Sequence, residues 1–464
     1  MKTLFLISLI AFSSFDCISQ ITFEKTYGST NNEQGFELRQ LEDSSFAIAG
    51  GTRSFGEPNG NFYLIKTDKY GDLLWEENYG GSEFDFCYAF ENTPDGGYIL
   101  AGTTASFGAG SGDHFIVKVD SIGTFEWQKF YGGAGFEKLN DVILSNDSSF
   151  YFLGITSSSG AGAEDAQVLK TNLNGDTLWT KTYGGALNDN ATSLIQASDS
   201  NLLFVGWTNN YNASISSVLL NKIDPAGNLI WTKTYGGAFS DRGTHLIQTS
   251  DGGYMISGNT QSSTAGMFNK LYLIKTDNLG DTIWTRAYNN HNFTHGIHIE
   301  QTSDGGYIIT GTEGISVFSP DLFLFKIDQN GNEEWNLIYG GYEMDYGLCV
   351  KQTFDEGYVV TGLNSSMGAG QQDVYLLKID KTGNSTGLYP IEQNQFLEIY
   401  PNPTAGKISI KTENIEKIEI MNVHGGLVYV GIEKEIDIGS FPKGVYFINV
   451  LANGRMFTNK LVKQ

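Results

Sequence analysis

The chain has 464 residues and a formal net charge of −23, with 57 glycines, 30 phenylalanines, 24 tyrosines and 7 tryptophans. This charge argues against a nucleic-acid-binding protein, because neutralising phosphates requires a basic surface. Abundant glycine and aromatic residues, with only 17% charged residues, favour many short strands joined by tight turns. The same composition argues against a helical bundle, a coiled coil, collagen or a disordered chain.

The N-terminal segment is predicted to be a signal peptide covering residues 1–19, so that the mature chain begins at Gln20. Lys2 supplies a basic start, and residues 4–12 form an apolar run that is too short to span a bilayer. A lipoprotein acylated at Cys17 is the alternative. No later segment is long and apolar enough to predict a transmembrane segment.

A unit of about 52 residues then recurs seven times. A Lys-x-Asp or Lys-x-Asn step begins at Lys66, Lys118, Lys170, Lys222, Lys275, Lys326 and Lys378. A Tyr-Gly-Gly-like step begins at Tyr27, Tyr79, Tyr131, Tyr183, Tyr235, Tyr288 and Tyr339. One column of six tryptophans contains Trp75, Trp127, Trp179, Trp231, Trp284 and Trp335.

Each unit holds four strand-like runs, separated by an Asp-Gly-Gly-type hairpin and a second glycine turn. Four strands in each of seven units predict an all-β fold, a seven-bladed β-propeller over residues 20–380. An open solenoid of four-stranded repeats is the alternative.

The seventh unit lacks a fourth strand, and the missing strand is predicted to come from the other end of the chain. Residues 21–27 read as a strand, and Phe23 lies 52 residues before Trp75, in the tryptophan column. The N-terminal strand is therefore expected to close the propeller and to remove an open sheet edge.

The repeats resemble kelch-type repeats in their size and in the order of glycine, tyrosine and tryptophan, but most carry one glycine after the second strand instead of two. They are more similar to the DGGY-type repeats that are common in secreted proteins of Bacteroidota. This resemblance covers about residues 21–380.

The periodicity stops near Asp380, and the polar residues 381–395 are predicted to be a linker. Residues 396–464 hold eight basic and seven acidic residues, so the negative charge belongs to the repeats. This tail resembles the type A sorting domain of the type IX secretion system. The residues that carry the resemblance include Tyr400, Pro401, Asn402, Pro403, Gly406, Lys443, Gly444 and Tyr446.

The resemblance implies a small C-terminal β-sandwich. It implies two partners, the type IX translocon and a sortase-like protease. It also implies passage through the periplasm to the outer-membrane surface or the medium.

Two sets of acidic residues are predicted to lie on one rim of the propeller. The first set sits six residues after the repeat tyrosine: Glu33, Asp85, Glu137, Asp189, Asp241 and Asp345. The second set precedes the third strand: Asp113, Asp165, Asp321 and Asp373. Strands 1 and 3 of one blade are about 9.5 Å apart. That separation is too long for a shared calcium ion and lies near the range of inverting glycosidases.

Since these acids recur in most blades, capping of turns is their simplest role. Lys66 and Asp68, with their equivalents, are likewise expected to pair or to cap a turn. The tryptophan column is expected to pack the blades.

Trp207 is the one tryptophan outside the column, and it opens a loop that contains Asn209, Asn210 and Tyr211. Two aromatic rings among amides predict a ligand-binding site where a sugar could stack. A gap-filling role for Trp207 is the alternative.

No metal and no cofactor are predicted. His291, His295 and His298 are close in sequence, but residues 295 and 298 of a strand face opposite sides. Cys87 and Cys349 lie in non-adjacent repeats and are expected to be free, buried thiols.

These observations predict a secreted or cell-surface binding or adhesion protein whose ligand is a glycan or a protein, without catalysis. A carbohydrate-active, endoglucanase-like hydrolase that uses the rim carboxylates is one alternative. A scaffold protein without a small-molecule site is the other.

Overall fold

The computed structural model describes residues 20–210, 215–264, 267–288, 293–314, 320–341, 343–384, 398–412, 415–422, 426–452 and 455–464. The predicted signal peptide and most of the predicted linker lie outside the described residues, as do Tyr211 and His291. The chain divides into two compact units, Met1–Ile391 and Glu392–Gln464.

The first unit consists of seven four-stranded antiparallel sheets. Sheet 1 contains β2 (Glu33–Gln40), β3 (Phe46–Thr52), β4 (Asn61–Thr67) and β5 (Leu73–Tyr79). Sheet 2 contains β6 (Asp85–Asn92), β7 (Tyr98–Thr104), β8 (Asp113–Val119) and β9 (Phe125–Tyr131). Sheet 3 contains β10 (Glu137–Leu144), β11 (Phe150–Thr156), β12 (Asp165–Thr171) and β13 (Thr177–Tyr183). Sheet 4 contains β14 (Asp189–Gln196), β15 (Leu202–Thr208), β16 (Ser217–Ile223) and β17 (Leu229–Tyr235).

The remaining sheets repeat this order. Sheet 5 contains β18 (Asp241–Gln248), β19 (Tyr254–Thr260), β20 (Lys270–Thr276) and β21 (Thr282–Tyr288), with a short 3₁₀ turn at Ser262–Thr264. Sheet 6 contains β22 (Phe293–Gln301), β23 (Tyr307–Gly314), β24 (Asp321–Ile327) and β25 (Glu333–Tyr339). Sheet 7 contains β26 (Asp345–Gln352), β27 (Tyr358–Asn364), β28 (Asp373–Ile379) and the N-terminal β1 (Phe23–Tyr27).

The N-terminal strand occupies the fourth-strand position of sheet 7. β1 pairs antiparallel with β28, and Phe23 lies opposite Lys378. Trp75 lies opposite Lys66 in the same way within sheet 1. The N-terminal strand and the last repeat therefore form one sheet, although almost the whole sequence of the first unit lies between them.

Consecutive sheets pack face to face, and their second and third strands are buried almost throughout. The fourth strands are largely half-buried or exposed. β2 contacts β26, β27 and β28 of sheet 7 as well as β6 of sheet 2. The prediction of an all-β, propeller-like fold is confirmed, and each sheet of the described chain remains open, not closed into a barrel.

A β-bulge in the first strand explains the glycine that recurs in each second strand. The register shifts between Gly35 and Glu37 in sheet 1, and equivalently in the other sheets. The bulge brings a carbonyl oxygen against the second strand, where a Cβ on Gly50 would lie 1.8 Å from the oxygen of Gln34. Only glycine tolerates this approach. The equivalent residues are Gly102, Gly154, Gly206, Gly258, Gly311 and Gly362.

The repeat tyrosine joins each sheet to the next. Its hydroxyl donates to a glycine carbonyl in the turn that follows the third strand of the next sheet. Tyr79 donates to Gly123 at 2.5 Å, and Tyr27 of β1 donates to Gly71 of sheet 1 at 2.6 Å. The other five pairs are Tyr131–Gly175, Tyr183–Gly227, Tyr235–Gly280, Tyr288–Gly331 and Tyr339–Gly383.

The tryptophan column packs against the buried cores of the sheets, as predicted, and five of its six rings also cover the same turn glycines. A Cβ on Gly123 would lie 2.9 Å from the ring of Trp75, and Gly123 has φ +83°. The glycine is therefore required both by its left-handed backbone and by the ring that covers it. Phe23 covers Gly71 in the same position.

The repeat lysine pairs with a different aspartate from the one two residues later. Lys275 Nζ lies 2.8 Å from Asp251 in the hairpin between the first and second strands, and the equivalent pair recurs in all seven repeats. The aspartate of the Lys-x-Asp step caps its own turn, because Asp68 accepts from the backbone N–H groups of Tyr70 and Asp72.

The second unit has two sheets that share one core. β29 (Glu398–Tyr400), β30 (Lys407–Lys411) and β33 (Glu435–Asp437) form the smaller sheet. β31 (Ile415–Asn422), β32 (Leu427–Gly431), β34 (Gly444–Ala452) and β35 (Arg455–Lys463) form the larger one. The core is rich in isoleucine, with Ile408 and Ile436 from one sheet facing Ile420 and Ile448 from the other.

Deleting residues 20–27 should lower the free energy of unfolding of the first unit by at least about 5 kcal/mol, since Phe23 and Tyr27 are both buried. Lys25→Ala is the matched control, because Lys25 pairs with Asp72 at an exposed site and should cost less than about 1 kcal/mol. Urea denaturation followed by tryptophan fluorescence measures both. Equal effects of the two changes would show that β1 is dispensable.

Candidate functional site

The acidic residues of the first predicted set are buried and bind turn amides. Asp189 is fully buried, and its Oδ2 accepts from the backbone N–H of Gly185 at 2.8 Å. Equivalent bonds reach Glu33, Asp85, Glu137, Asp241 and Asp345. Turn capping, the simplest interpretation from the sequence, is therefore confirmed for this set.

The two acidic sets meet across neighbouring sheets, so the separation of about 9.5 Å expected within one blade describes the wrong pair. A Cβ on Gly132 would lie 1.9 Å from Asp113 Oδ1 of sheet 2 and 2.6 Å from Glu137 Oε2 of sheet 3. The same arrangement brings together Asp373 with Glu33, Asp165 with Asp189 and Asp321 with Asp345. The carboxylates of a pair are neighbours because each first strand begins beside the third strand of the preceding sheet.

In one of these pairs, the pKa of an aspartate is raised. Burial and then the charge of Asp345 raise the pKa of Asp321 to about 7. Asp321 Oδ1 is buried and has no hydrogen-bond partner among the described residues. The protonated form of Asp321 is therefore favoured in the folded chain at mildly acidic pH.

Trp207 lies near the end of β15, and the described residues that follow it, up to Asn210, begin the Trp207 loop. Contacts within the protein hold this segment. The guanidinium of Arg242 lies 4.8 Å from the centre of the Trp207 ring, which is half-buried. Asn210 donates to Asp189 and accepts from the backbone N–H of Leu187 at 3.0 Å. Asn209 donates to a backbone carbonyl within the loop. The amides thus shape the loop, and the sugar-stacking role stays a prediction.

Of the three histidines that are close in sequence, His295 and His298 are described, and they have separate environments. His295 lies 2.6 Å from Asn269, whereas His298 is buried beside His245 with ring centroids 3.8 Å apart. Their neighbours therefore come from other sheets and not from their own loop. Cys87 and Cys349 are free and buried, as predicted.

Sequence reasoning missed a group of ionisable side chains on the first strands, here called the first-strand cluster. Its members come from the end of those strands that follows the bulge, in sheets 5, 6, 7, 1 and 2. They are His245, His298, Glu300, Cys349, Lys351, Glu37, Arg39 and Glu91. Comparing one position across successive repeats, instead of neighbours along the chain, would have found them.

Ion pairs cross between sheets within this cluster. Arg39 lies 3.1 Å from Glu91, and Lys351 lies 3.9 Å from Glu37. Burial raises the pKa of Glu91, while the charge of Arg39 opposes that rise. Burial and then the charge of Lys351 lower the pKa of His245 to about 3, so its imidazole is neutral. The described residues that could hold a metal ion lie here, since ligand atoms of Glu37, His298 and Cys349 are within 4.8 Å of one another.

A polar groove of about 730 Å³ lies between sheets 3 and 4. Hydroxyl and amide side chains line much of it, including those of Thr180, Thr182, Gln167 and Asn221. Its size is in the range of small-ligand sites.

The predicted sorting residues lie in surface turns of the second unit and at the beginning of β34. Tyr400 is 54% exposed, and Lys443 is exposed beside Gly444. Asn402 donates to the carbonyl of Lys460 at 2.6 Å and accepts from the backbone N–H of Val462, so it fastens the Pro-Asn-Pro step to β35.

Tyr446 is buried and donates to the carbonyl of Pro442 at 2.8 Å.

Residues 398–464 match the family of the secretion system C-terminal sorting domain. The tail is a type IX sorting domain. The protein is therefore exported by the type IX secretion system and is extracellular or located at the cell surface. A search of the curated proteins found no match.

Among solved structures, puromycin hydrolase aligns with a TM-score of 0.50 at 10% identity, over 91% of this chain and 59% of that protein. The WD40 domain of Neurospora crassa Pan2 aligns with a TM-score of 0.48 at 9% identity, over 78% and 91%. Penicillium chrysogenum alpha-L-arabinanase aligns with a TM-score of 0.43 at 12% identity, over 77% and 99%. The chain thus spans about three fifths of puromycin hydrolase, and these likenesses concern the fold alone.

Within the described ranges, no helix has the length and apolar character needed to cross a membrane.

Asp321→Asn should stabilise the protein at pH 8 and change its stability little at pH 4. The pKa of Asp321 is raised to about 7 in the folded chain, above its value of about 3.9 in the unfolded chain. The contribution of Asp321 to stability is therefore fully present below about pH 3.9 and is lost as the pH rises from there through about 7. Urea denaturation at both pH values tests this.

Asp43→Asn serves as a control of opposite sign, because the hydrogen bond from Ser45 lowers the pKa of Asp43. This variant should lose stability at pH 8. A pH-independent effect of Asp321→Asn would contradict the expected acidity.

Proposed function

We propose that residues 20–380 form a closed seven-bladed β-propeller that acts as a binding or adhesion module after export. The observation that carries the proposal is the union of seven like sheets with a type IX sorting domain at residues 398–464. The pairing of β1 with β28, and the contacts of β2 with β26 to β28, support closure by the N-terminal strand. The repeat type and its resemblance to DGGY repeats of Bacteroidota proteins belong to this proposal.

A binding role fits the rim better than hydrolysis does. A glycosidase needs one carboxyl group to donate a proton and another to attack or to activate water. The first-set carboxylates are buried, and their oxygens accept hydrogen bonds from turn amides, as at Glu33 and Asp85. Substrate-facing carboxylates would require at least one of these turns to open.

We place the ligand site at the Trp207 loop, with Trp207, Asn209, Asn210 and Tyr211 as its residues, and a glycan as its ligand. Trp207 breaks the repeat, and an aromatic ring beside amides is the usual surface for a sugar. The half-buried ring is held by Arg242, so it is preorganised. The polar groove between sheets 3 and 4 is lined by groups that also suit hydroxyl-rich ligands.

The sorting tail defines the remaining partners. Exposed residues such as Tyr400 and Lys443 are available to the type IX translocon and to a sortase-like protease. The proposed order of the chain is a signal peptide at 1–19, the propeller at 20–380, a linker at 381–395 and the sorting domain at 396–464.

Truncation after residue 395 should abolish export across the outer membrane, because the sorting signal is removed while the propeller is kept. The expected result, in a host with a functional type IX system, is full-length propeller in the periplasm and none in the medium or at the surface. Trp207→Ala, with the tail intact, should be exported like the wild type. Surface display of the truncated chain would contradict the role of the tail.

Trp207→Ala should lower binding at least about tenfold on a glycan array, as expected for the loss of a stacking ring. Leu74→Ala is the matched control, since Leu74 is 57% exposed on β5. Unchanged binding by the Trp207 variant would exclude this loop as the glycan site. Wild-type protein that binds no glycan would favour a protein ligand.

A further inference from the structure

The residue that follows the bulge in the first strand is not constant along the repeats, and four consecutive sheets supply side chains there of types that can bind a metal. In sheets 5, 6, 7 and 1 these are His245, His298, Cys349 and Glu37, each paired opposite the residue that precedes the second-strand glycine. The bulge is at the same place in each strand, so the four side chains lie side by side although 51 to 53 residues separate His245, His298 and Cys349 along the chain.

The geometry brings three of these side chains within reach of one ion. The ligand atoms of Glu37, His298 and Cys349 all lie within 4.8 Å of one another. Ligand atoms of a tetrahedral zinc site are about 3.5 Å apart. Side-chain movements of about 1 Å would therefore bring these three ligand atoms to the spacing of a zinc site. His298 is 3% exposed and Cys349 is fully buried, while Glu37 keeps an exposed edge.

Two buried imidazole nitrogens at this site lack a partner. The Nδ1 atoms of His245 and His298 are buried and have no hydrogen-bond partner among the described residues. Folding normally satisfies such groups, because a buried polar atom without a partner is costly. At the same position of sheets 3 and 4, Asp141 and Ser193 accept from backbone N–H groups of the next sheet. His245 likewise makes a backbone hydrogen bond to Ile299 of sheet 6, and both Nδ1 atoms remain without a partner among the described residues.

We propose that Glu37, His298 and Cys349 bind one zinc ion. A thiolate, an imidazole and a carboxylate are donors that zinc takes in proteins. Calcium and magnesium, which require oxygen ligands, do not suit this set. Binding transfers the thiol proton of Cys349 to solvent, and no electron is exchanged.

The ammonium group of Lys351 lies beside two of the proposed ligands and opposes the binding of a cation. It lies 3.3 Å from His298 Nε2 and 3.9 Å from Glu37 Oε1. In the metal-free chain it balances the Glu37 carboxylate, and a cation at the site must overcome its charge. The ion would link sheets 6, 7 and 1, which include the junction between the two ends of the repeat array.

The test uses the full mature chain without a histidine tag, stripped of metal and titrated with Co²⁺. We expect one ion per chain, a near-ultraviolet thiolate-to-cobalt charge-transfer band that Zn²⁺ abolishes, and a rise in the melting temperature with zinc. Cys349→Ala should remove the band. Cys87→Ala removes the other buried thiol and should keep it. Lys351→Met should tighten binding at least about tenfold, because a like charge leaves the site.

Glu37→Gln separates loss of metal binding from loss of folding, because it keeps the shape of a partly exposed side chain and removes its charge. It should weaken binding at least about tenfold while the melting temperature without metal stays within a few degrees of the wild type. Absence of stoichiometric binding by the wild type would overturn the proposal. So would equal binding by the wild type, Cys349→Ala and Glu37→Gln.

Discussion

The first unit depends on one hydrogen bond that is made seven times, from the repeat tyrosine of one sheet to a turn glycine of the next. An aromatic ring covers the same glycine at six junctions and Leu337 covers Gly383 at the seventh, so a polar bond and an apolar contact act together at each junction. A single repeat cannot bury its hydrophobic faces alone and does so by stacking on its neighbours. Tyr27 makes this bond to Gly71 from the N-terminal strand, and the last sheet is thereby tied to the first.

The bulge of the first strand is the second repeated constraint. It creates a position where the residue type can differ between repeats and serve a function. It fixes a glycine on the second strand and aligns the following residue across all sheets. That residue is free to differ, because its neighbours come from adjacent sheets. The side chains of His245, His298 and Cys349 occupy this position, whereas the repeated carboxylates are engaged in turns. Candidate functions therefore lie at non-repeating places: the Trp207 loop, the first-strand cluster and the sorting tail.

The Lys–Asp pairs show that the repeated charged residues have a structural role. Lys326 is 2% exposed, and its ammonium lies 2.9 Å from both Asp304 and Glu334. A buried ammonium requires such partners, because desolvation without them is costly. Each pair ties the first hairpin of a sheet to its third strand, which keeps the turn geometry uniform along the array.

The sequence by itself determined the strands, their grouping in fours, the N-terminal strand as partner of the seventh repeat and the sorting tail. Those features follow from local turn chemistry and from a period of about 52 residues. Only the tertiary structure decided that Lys66 reaches Asp43 instead of Asp68, that Asp321 meets Asp345, and that His298 meets Cys349. These contacts join different hairpins or different sheets, and spacing along one strand carries no information about them.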